Sequence, residues 1–304
     1  MKRRELLQIT ASLGLASALA GAQRTKAAEN IQGPSADRDK PLTPPAGGQI
    51  SVGFLLSEGA VVIDFAGPWE VFENVAVPGL KPQAFKLFTV AESKLPIHAS
   101  GGMTIVPDYT LASAPHPSIL VIPAQNEPSG AALDWIKQVA KSADLVMSVC
   151  TGAFILAKTG LLNGKSATTH HGAYAEFAMT YPDVHLERGA RYVEVGNLAS
   201  SGGLTSGIDL TLRVVERYFG RAVAQRTADS LEYQGLGWMD PKSNAEYAKR
   251  LASTADHPRC PVCGMDVDPN AGVKSVYQGQ TYYFCMSSHK RLFDSAPKQF
   301  AAAG

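Results

Sequence analysis

The chain has 304 residues, 45% of them hydrophobic and 18% charged, with 28 basic side chains against 27 acidic ones for a net charge of +1. At about 150 residues per domain there is room for one large folded domain and a small second one. The near-neutral balance excludes the global basic field that nucleic acid or anionic lipid would call for, so no nucleic-acid partner is expected. Four cysteines are too few for a disulfide scaffold, and three of them, Cys260, Cys263 and Cys285, fall together near the end of the chain.

Residues 1–28 have the layout of an export signal: a basic tip (Lys2, Arg3, Arg4), a weakly apolar run from Leu6 to Ala20, then small residues spaced A-x-A. The run is too short and too polar to span a bilayer stably, so no membrane span is expected after cleavage. Arg3-Arg4 followed by Glu5-Leu6-Leu7 resembles the twin-arginine signal, whose receptor passes cargo already folded; this implies a periplasmic or extracytoplasmic protein. An uncleaved amphipathic helix is the other reading. Residues 29–48, with several Pro and Gly and no periodicity, read as a flexible linker.

Beyond the linker, short apolar runs alternate with helical patterns. Residues 50–56, 86–90, 118–123 and 144–149 are rich in Val, Ile, Leu and Phe and read as buried strands. Helical stretches are expected over 69–75, 131–141, 151–159, 173–179 and 206–219. Strands separated by helices predict an α/β fold, a parallel sheet covered by helices on both faces in three layers, with the active site at the carboxyl ends of the strands. No Walker loop or dinucleotide fingerprint occurs, and the glycine-rich SGGLTSG (201–207) fits no nucleotide-binding spacing, so no cofactor is expected in this domain.

The most informative segment is LVMSVCTGAFILAKTGLL, in which an apolar run ends at Cys150 and a helical pattern begins at once, with Ser148 and Gly152 as small neighbours. A nucleophile on a sharp strand-to-helix turn needs small residues around it. The following helix would aim its N–H groups at the sulfur and lower the thiol pKa. Equally, a cysteine ending a buried strand can be a small core hydrophobe. Asp64, in VVIDFAGPWEVF, stands in apolar surroundings between a strand and a helix, where burial would resist its ionisation. It could manage a proton for a thiol or substrate, or simply cap a helix beginning near Pro68.

Taken together, DFAGPWEVF, ASGGMTIVPDYTL, SVCTGAFILAKTGLLNGKSATTHH and SSGGLTSGIDLTLRVVERYFG resemble the ThiJ/PfpI superfamily, with a flavodoxin-like fold related to class I glutamine amidotransferases. The similarity covers residues 49–238 and is nearest to the branch of isonitrile hydratases and the N-terminal domains of AraC-type regulators. It implies Cys150 as nucleophile, Thr151 as the residue following it and Asp64 as the acidic partner, with His170, Gly101 and Ala124 around the substrate pocket. In isonitrile hydratases the thiolate attacks the isocyano carbon and water then releases an N-substituted formamide. His170 can also be read as a structural histidine. Superfamily members often form dimers, so a homodimer is a further expectation.

Three departures accompany the resemblance. Thr151 replaces the histidine that many proteases and glyoxalases of the superfamily carry after the cysteine. Pro123-Ala124-Gln125 replaces the usual P-G-G of the oxyanion-hole region, and Ala124 does not readily adopt positive φ. His171 stands where tryptophan is common.

After a connector over 239–256, residues 257–304 change character. Cys260 and Cys263 form C-x2-C beside Gly264, and Cys285 and His289 form C-x3-H. A short helix starting near Cys285 would stack Cys285 and His289 on one face, and VYQGQTYYF reads as a hairpin joining the two halves. Three thiolates and an imidazole make a tetrahedral zinc set, and copper(I) is the rival because Met265 or Met286 could add a soft thioether. A Cys260–Cys263 disulfide with Cys285 buried or free is the other reading. CPVCGM, YYF and Cys285 resemble the YHS domain, a small metal-binding module, with His289 where cysteine is frequent.

Three functions follow as expectations: an exported cysteine hydratase acting on a small electrophile, a binder of a small ligand or heavy metal, or a redox sensor using Cys150. No DNA-binding helix pair is read after residue 238.

Overall fold

The computed structural model describes residues 40–46, 49–80, 83–249, 253–254, 256–270 and 273–301. The expected export signal and most of the expected linker lie outside them. The part of the linker that is described is fastened: Leu42 N–H donates to the Arg217 carbonyl, and Arg217 Nε donates back to the Lys40 carbonyl.

A seven-stranded sheet forms the centre. In chain order its strands are β1 (Ile50–Leu55), β2 (Phe85–Ala91), β3 (Tyr109–Thr110), β4 (Ile119–Ile122), β5 (Leu145–Val149), β6 (Tyr192–Val195) and β7 (Leu198–Ser201). Across the sheet they run β6-β7-β5-β4-β1-β2-β3, every neighbouring pair parallel except the β6–β7 hairpin at the edge. The helices are α1 (Val62–Glu73), α2 (Gly130–Ala140), α3 (Gly152–Lys158), α4 (Tyr174–Thr180), α5 (Ser206–Phe219) and α6 (Arg221–Ser230).

Strand side chains alternate between two cores, as the period of two requires. Ile119, Val121, Leu145 and Met147 point to one face, where α1, α5 and α6 supply Phe72, Leu210 and Val223. Leu120, Ile122 and Val146 point to the other, where Ile136 of α2, Leu156 of α3 and Phe177 of α4 meet them. Burying each such side chain contributes about 1.5–3 kcal/mol, and both faces are covered, hence the apolar runs without polar alternation.

The expected strands and helices lie close to their observed places, with one correction. The first helix starts at Val62 and not near Trp69. Pro68 sits inside it, and Ser100 Oγ, from a distant turn, accepts the Val62 N–H at 3.0 Å. Asp64 is therefore in the first helical turn and is not the cap; Val61 occupies that place without a side-chain bond. The pattern does not predict strand β3, the hairpin strands β6 and β7 or helix α6.

The C-terminal residues form a hairpin, β8 (Lys274–Tyr277) with β9 (Gln280–Tyr283), then α7 (Ser287–Ser295) and α8 (Pro297–Ala301). A small core of Phe284, Phe293 and Phe300 packs with Cys260 and Val262, and Ala175 from α4 joins it. Among the described residues no helix is long and apolar enough to cross a membrane.

Candidate functional site

The parallel strands deliver their carboxyl ends to one edge of the sheet, and four of them lead into the site. β1 leads to Asp64, β4 to Ala124, β5 to Cys150, and β7 to the turn containing Leu204. Cys150 has φ 58, a left-handed conformation that costs a non-glycine residue roughly 1–2 kcal/mol. Two hydrogen bonds hold it there. Its N–H donates to the Gly202 carbonyl at 3.0 Å, and its own carbonyl accepts Thr169 Oγ1 at 2.9 Å. Helix α3 then starts so close to β4 that a Cβ on Gly152 would fall 2.2 Å from the Ile122 carbonyl oxygen. The small residue after the elbow is therefore a steric requirement.

Asp64 is fully buried. Its Oδ2 accepts the Ala124 N–H at 3.1 Å, while Oδ1 has no hydrogen-bond partner. Burial raises its pKa to about 7, against the pull of the Ala124 N–H and the Cys150 thiol. The thiol is itself pushed up to about 12, first by burial and then by the negative charge of Asp64, with the backbone N–H groups of Leu204 and Thr151 opposing. The expected lowering of the thiol pKa is thus corrected. The sulfur residue is only 8% exposed, and the seven-residue helix α3 does not outweigh its desolvation. At rest the pair is a neutral thiol beside a carboxyl poised between its two forms at neutrality.

Ala124 keeps φ outside the positive region and spends its N–H on Asp64. The backbone N–H groups that oppose the rise of the thiol pKa come instead from Leu204 and Thr151. Leu204 was missed in the sequence; its signal was SGGLTSG, where φ 47 at Leu204 turns the backbone just before α5.

His170 lies half-buried, its Nδ1 accepting the Gly172 N–H at 3.1 Å. Its ring rests on the backbone of Gly203, within the same turn as Leu204. Burial, and then the neighbouring His171, lower its pKa. His171 in turn stacks on Tyr247, ring centroids 4.9 Å apart. Gly101 lies in an exposed turn with φ 72, next to the Ser100 that caps α1. A cavity of about 800 Å³ lies away from Cys150, between His171, Tyr174 and Tyr247 on one side and Cys263, Met265 and Tyr282 on the other.

The second cluster is Cys260, Cys263, Cys285 and His289, whose ligand atoms all lie within 4.8 Å of one another. Cys263 Sγ is 3.5 Å from Cys285 Sγ, and His289 Nδ1 is 3.2 Å from Cys285 Sγ and 3.6 Å from Cys260 Sγ. A tetrahedral zinc with bonds near 2.3 Å to sulfur needs ligand separations of about 3.8 Å, so this donor set fits the ion. The turn is closed by Gly264, with φ 78, donating to the Cys260 carbonyl at 2.8 Å. Backbone N–H groups of Cys263 and Cys285 point at Cys260, and that of Met265 at Cys263. All three cysteines are free, with no Cys260–Cys263 disulfide. Cys285 precedes α7 instead of lying on it, and Met265 and Met286 are about half exposed.

Sequence profiles of the DJ-1/PfpI family and of the YHS domain match residues 50–217 and 259–303. The isonitrile hydratase of Pseudomonas putida is 31% identical over 192 residues, 60% of this chain and 78% of that protein. An HTH-type transcriptional regulator of Pseudomonas aeruginosa is 28% identical over 153 residues, 49% of this chain but 44% of the regulator, so less than half of its length is spanned. The crystal structure of a ThiJ/PfpI family protein from Pseudomonas syringae superposes with a TM-score of 0.55 at 24% identity, over 68% of this chain and 83% of that one, a likeness of fold.

Proposed function

The chain belongs to the DJ-1/PfpI family, and on that ground we propose that its α/β domain is a cysteine hydratase acting on a small electrophile, an isonitrile giving an N-substituted formamide. The observation that carries this reading is the buried Asp64 carboxyl, one oxygen unpartnered, set against the Cys150 thiol.

In this mechanism ionised Asp64 takes the thiol proton as the sulfur attacks the isocyano carbon. A carbon–sulfur bond forms, and the proton passes from Asp64 to the former isocyano carbon, leaving a thioimidate. Water adds to that carbon with Asp64 as base, and the proton Asp64 takes passes on to the imidate nitrogen; as the carbon–sulfur bond breaks, the remaining hydroxyl proton returns to the sulfur and the formamide leaves. The N–H groups of Thr151 and Leu204 stabilise the thiolate as it forms. A thiol held neutral at rest suits this cycle better than oxidant sensing, because oxidation follows thiolate character.

The YHS domain carries a metal in the same proposal, held by Cys260, Cys263, Cys285 and His289. Zinc is the ion assigned; it would cross-link a unit too small to rely on its three-phenylalanine core. The chain is exported in this reading, on its twin-arginine-like start.

The test is formamide production from cyclohexyl isocyanide by the full chain, Cys150→Ser and Asp64→Asn. Turnover by the wild type, and at least about a 100-fold loss in both variants, is the expected result. Undiminished turnover by Cys150→Ser, or none by the wild type, overturns the assignment.

A further inference from the structure

We infer that Arg191 is a positioning residue for Cys150: it clamps the turn over residues 202–206, which holds the Cys150 N–H through the Gly202 carbonyl. This deepens the reading of Cys150 as the reacting group and rests on it.

Leu204 needs an external support. Its φ of 47 is strained for a leucine, and its side chain is 42% exposed, so packing does not hold it in place. Supports for the turn lie on both sides of it, and three of them run to Arg191. On the near side, Gly202 N–H donates to the Arg191 carbonyl at 2.9 Å, and the Gly202 carbonyl takes the N–H of Cys150 itself. On the far side, Arg191 Nη2 donates to Thr205 Oγ1 at 2.9 Å. A third arm runs from Arg191 Nη1 to Asn244 Oδ1 at 3.1 Å, and Asn244 Nδ2 continues to Ser206 Oγ at 3.3 Å.

Arg191 is in turn immobilised. Its N–H donates to the Pro241 carbonyl at 2.7 Å, and its Nε donates to Asp209 Oδ2 at 2.6 Å. Asp209 is fully buried in the first turn of α5, and its Oδ2 also accepts Tyr233 Oη at 2.9 Å. Only a planar fork with several fixed donors can reach Asp209, Thr205 and Asn244 together; a lysine ammonium could keep the ion pair and would lose the fork. That difference separates positioning from mere stabilisation.

The experiment is the pH dependence of iodoacetamide alkylation at Cys150 in the full chain between pH 7 and 10.5, read on the Cys150 peptide by mass spectrometry, with near-ultraviolet circular dichroism on each variant. Arg191→Lys is expected to move the profile up by about one pH unit, slowing alkylation about tenfold below the midpoint, and Thr205→Val to slow it about threefold, both with a native spectrum. Profiles that coincide with the wild type overturn the inference. If Arg191→Lys fails to fold, Thr205→Val removes one arm alone and decides the matter by the same criterion. Absence of Cys150 alkylation in the wild type overturns this inference and the nucleophile together. Normal alkylation with the expected shifts, but no isonitrile turnover, overturns the substrate assignment and leaves the clamp standing.

Discussion

The ring of His170 occupies the space that a side chain on Gly203 would need: a Cβ there would fall 2.2 Å from His170 Cδ2. The histidine and the turn carrying Leu204 are therefore fitted to each other, and the glycine is what allows the approach. Gly203→Ala should force the ring or the turn aside. Overpacking of this kind costs about 1–3 kcal/mol. The expected outcome is that loss in urea unfolding, together with at least about a tenfold fall in kcat/KM for hydration, since a displaced Leu204 N–H no longer faces the sulfur. Unchanged kinetics would show that the turn and the ring are not part of the working geometry.

Asp64 makes folding stability depend on pH. Its folded pKa of about 7 lies above the ordinary 3.8, so the folded state holds the proton more tightly. The stability this gives is complete below about pH 4 and is lost as pH rises through 7, a difference of about 4 kcal/mol between the limits. Asp64→Asn, which is neutral throughout, should be more stable than the wild type at pH 8 by a few kcal/mol, with the gap closing toward pH 4. Denaturant unfolding at both pH values measures it, and a gap that stays constant with pH is the contrary result.

In the proposed reaction the same carboxyl should set the rate profile. If Asp64 is the base of the proposed reaction it must be ionised, so kcat/KM should rise with pH and level off above about 7. A profile that instead falls through that range would make Asp64 a proton donor from the start. The thiol, pushed to about 12, is not expected to produce a second limb near neutrality.

Metal removal should act locally. With an apparent contribution on the order of 10–16 kcal/mol for a structural zinc, chelation is expected to unfold residues 257–301 and leave the central sheet intact. Hydrogen exchange followed peptide by peptide would show lost protection around Cys260 and along α7, with β5 and α3 unaffected. His289→Ala should lower zinc affinity at least about 100-fold, measured by competition with a chelator. Retained protection after complete metal loss would mean that the phenylalanine core suffices.

What could be read in the sequence was what local spacing determines. The run ending at Val149 and the amphipathic stretch from Ser206 to Phe219 obey strand and helix periods, and both appear at those residues. The four metal-ligand candidates are two short motifs joined by a hairpin, so their convergence was legible as well. Elsewhere the deciding partner is remote. Pro68 looks like a helix start because proline favours the first helical position, but Ser100 opens the helix six residues earlier. The direction of the Cys150 shift depends on how much chain covers the sulfur, which no neighbouring residue announces. The turn that carries Leu204 is held at Thr205 and Ser206 by Arg191 and Asn244, on elements that meet only in the fold.

Asn244 belongs to the stretch that composition marks as a connector, yet it is only 6% exposed and is bonded to the guanidinium of Arg191. The path between the two halves is thus riveted to the α/β half before it departs. A chain trimmed after residue 238 would lose a strut as well as an accessory, so the excised half is a different machine from the parent and a poor guide to it. The two halves are better regarded as co-authors of one cleft than as passengers sharing a transcript.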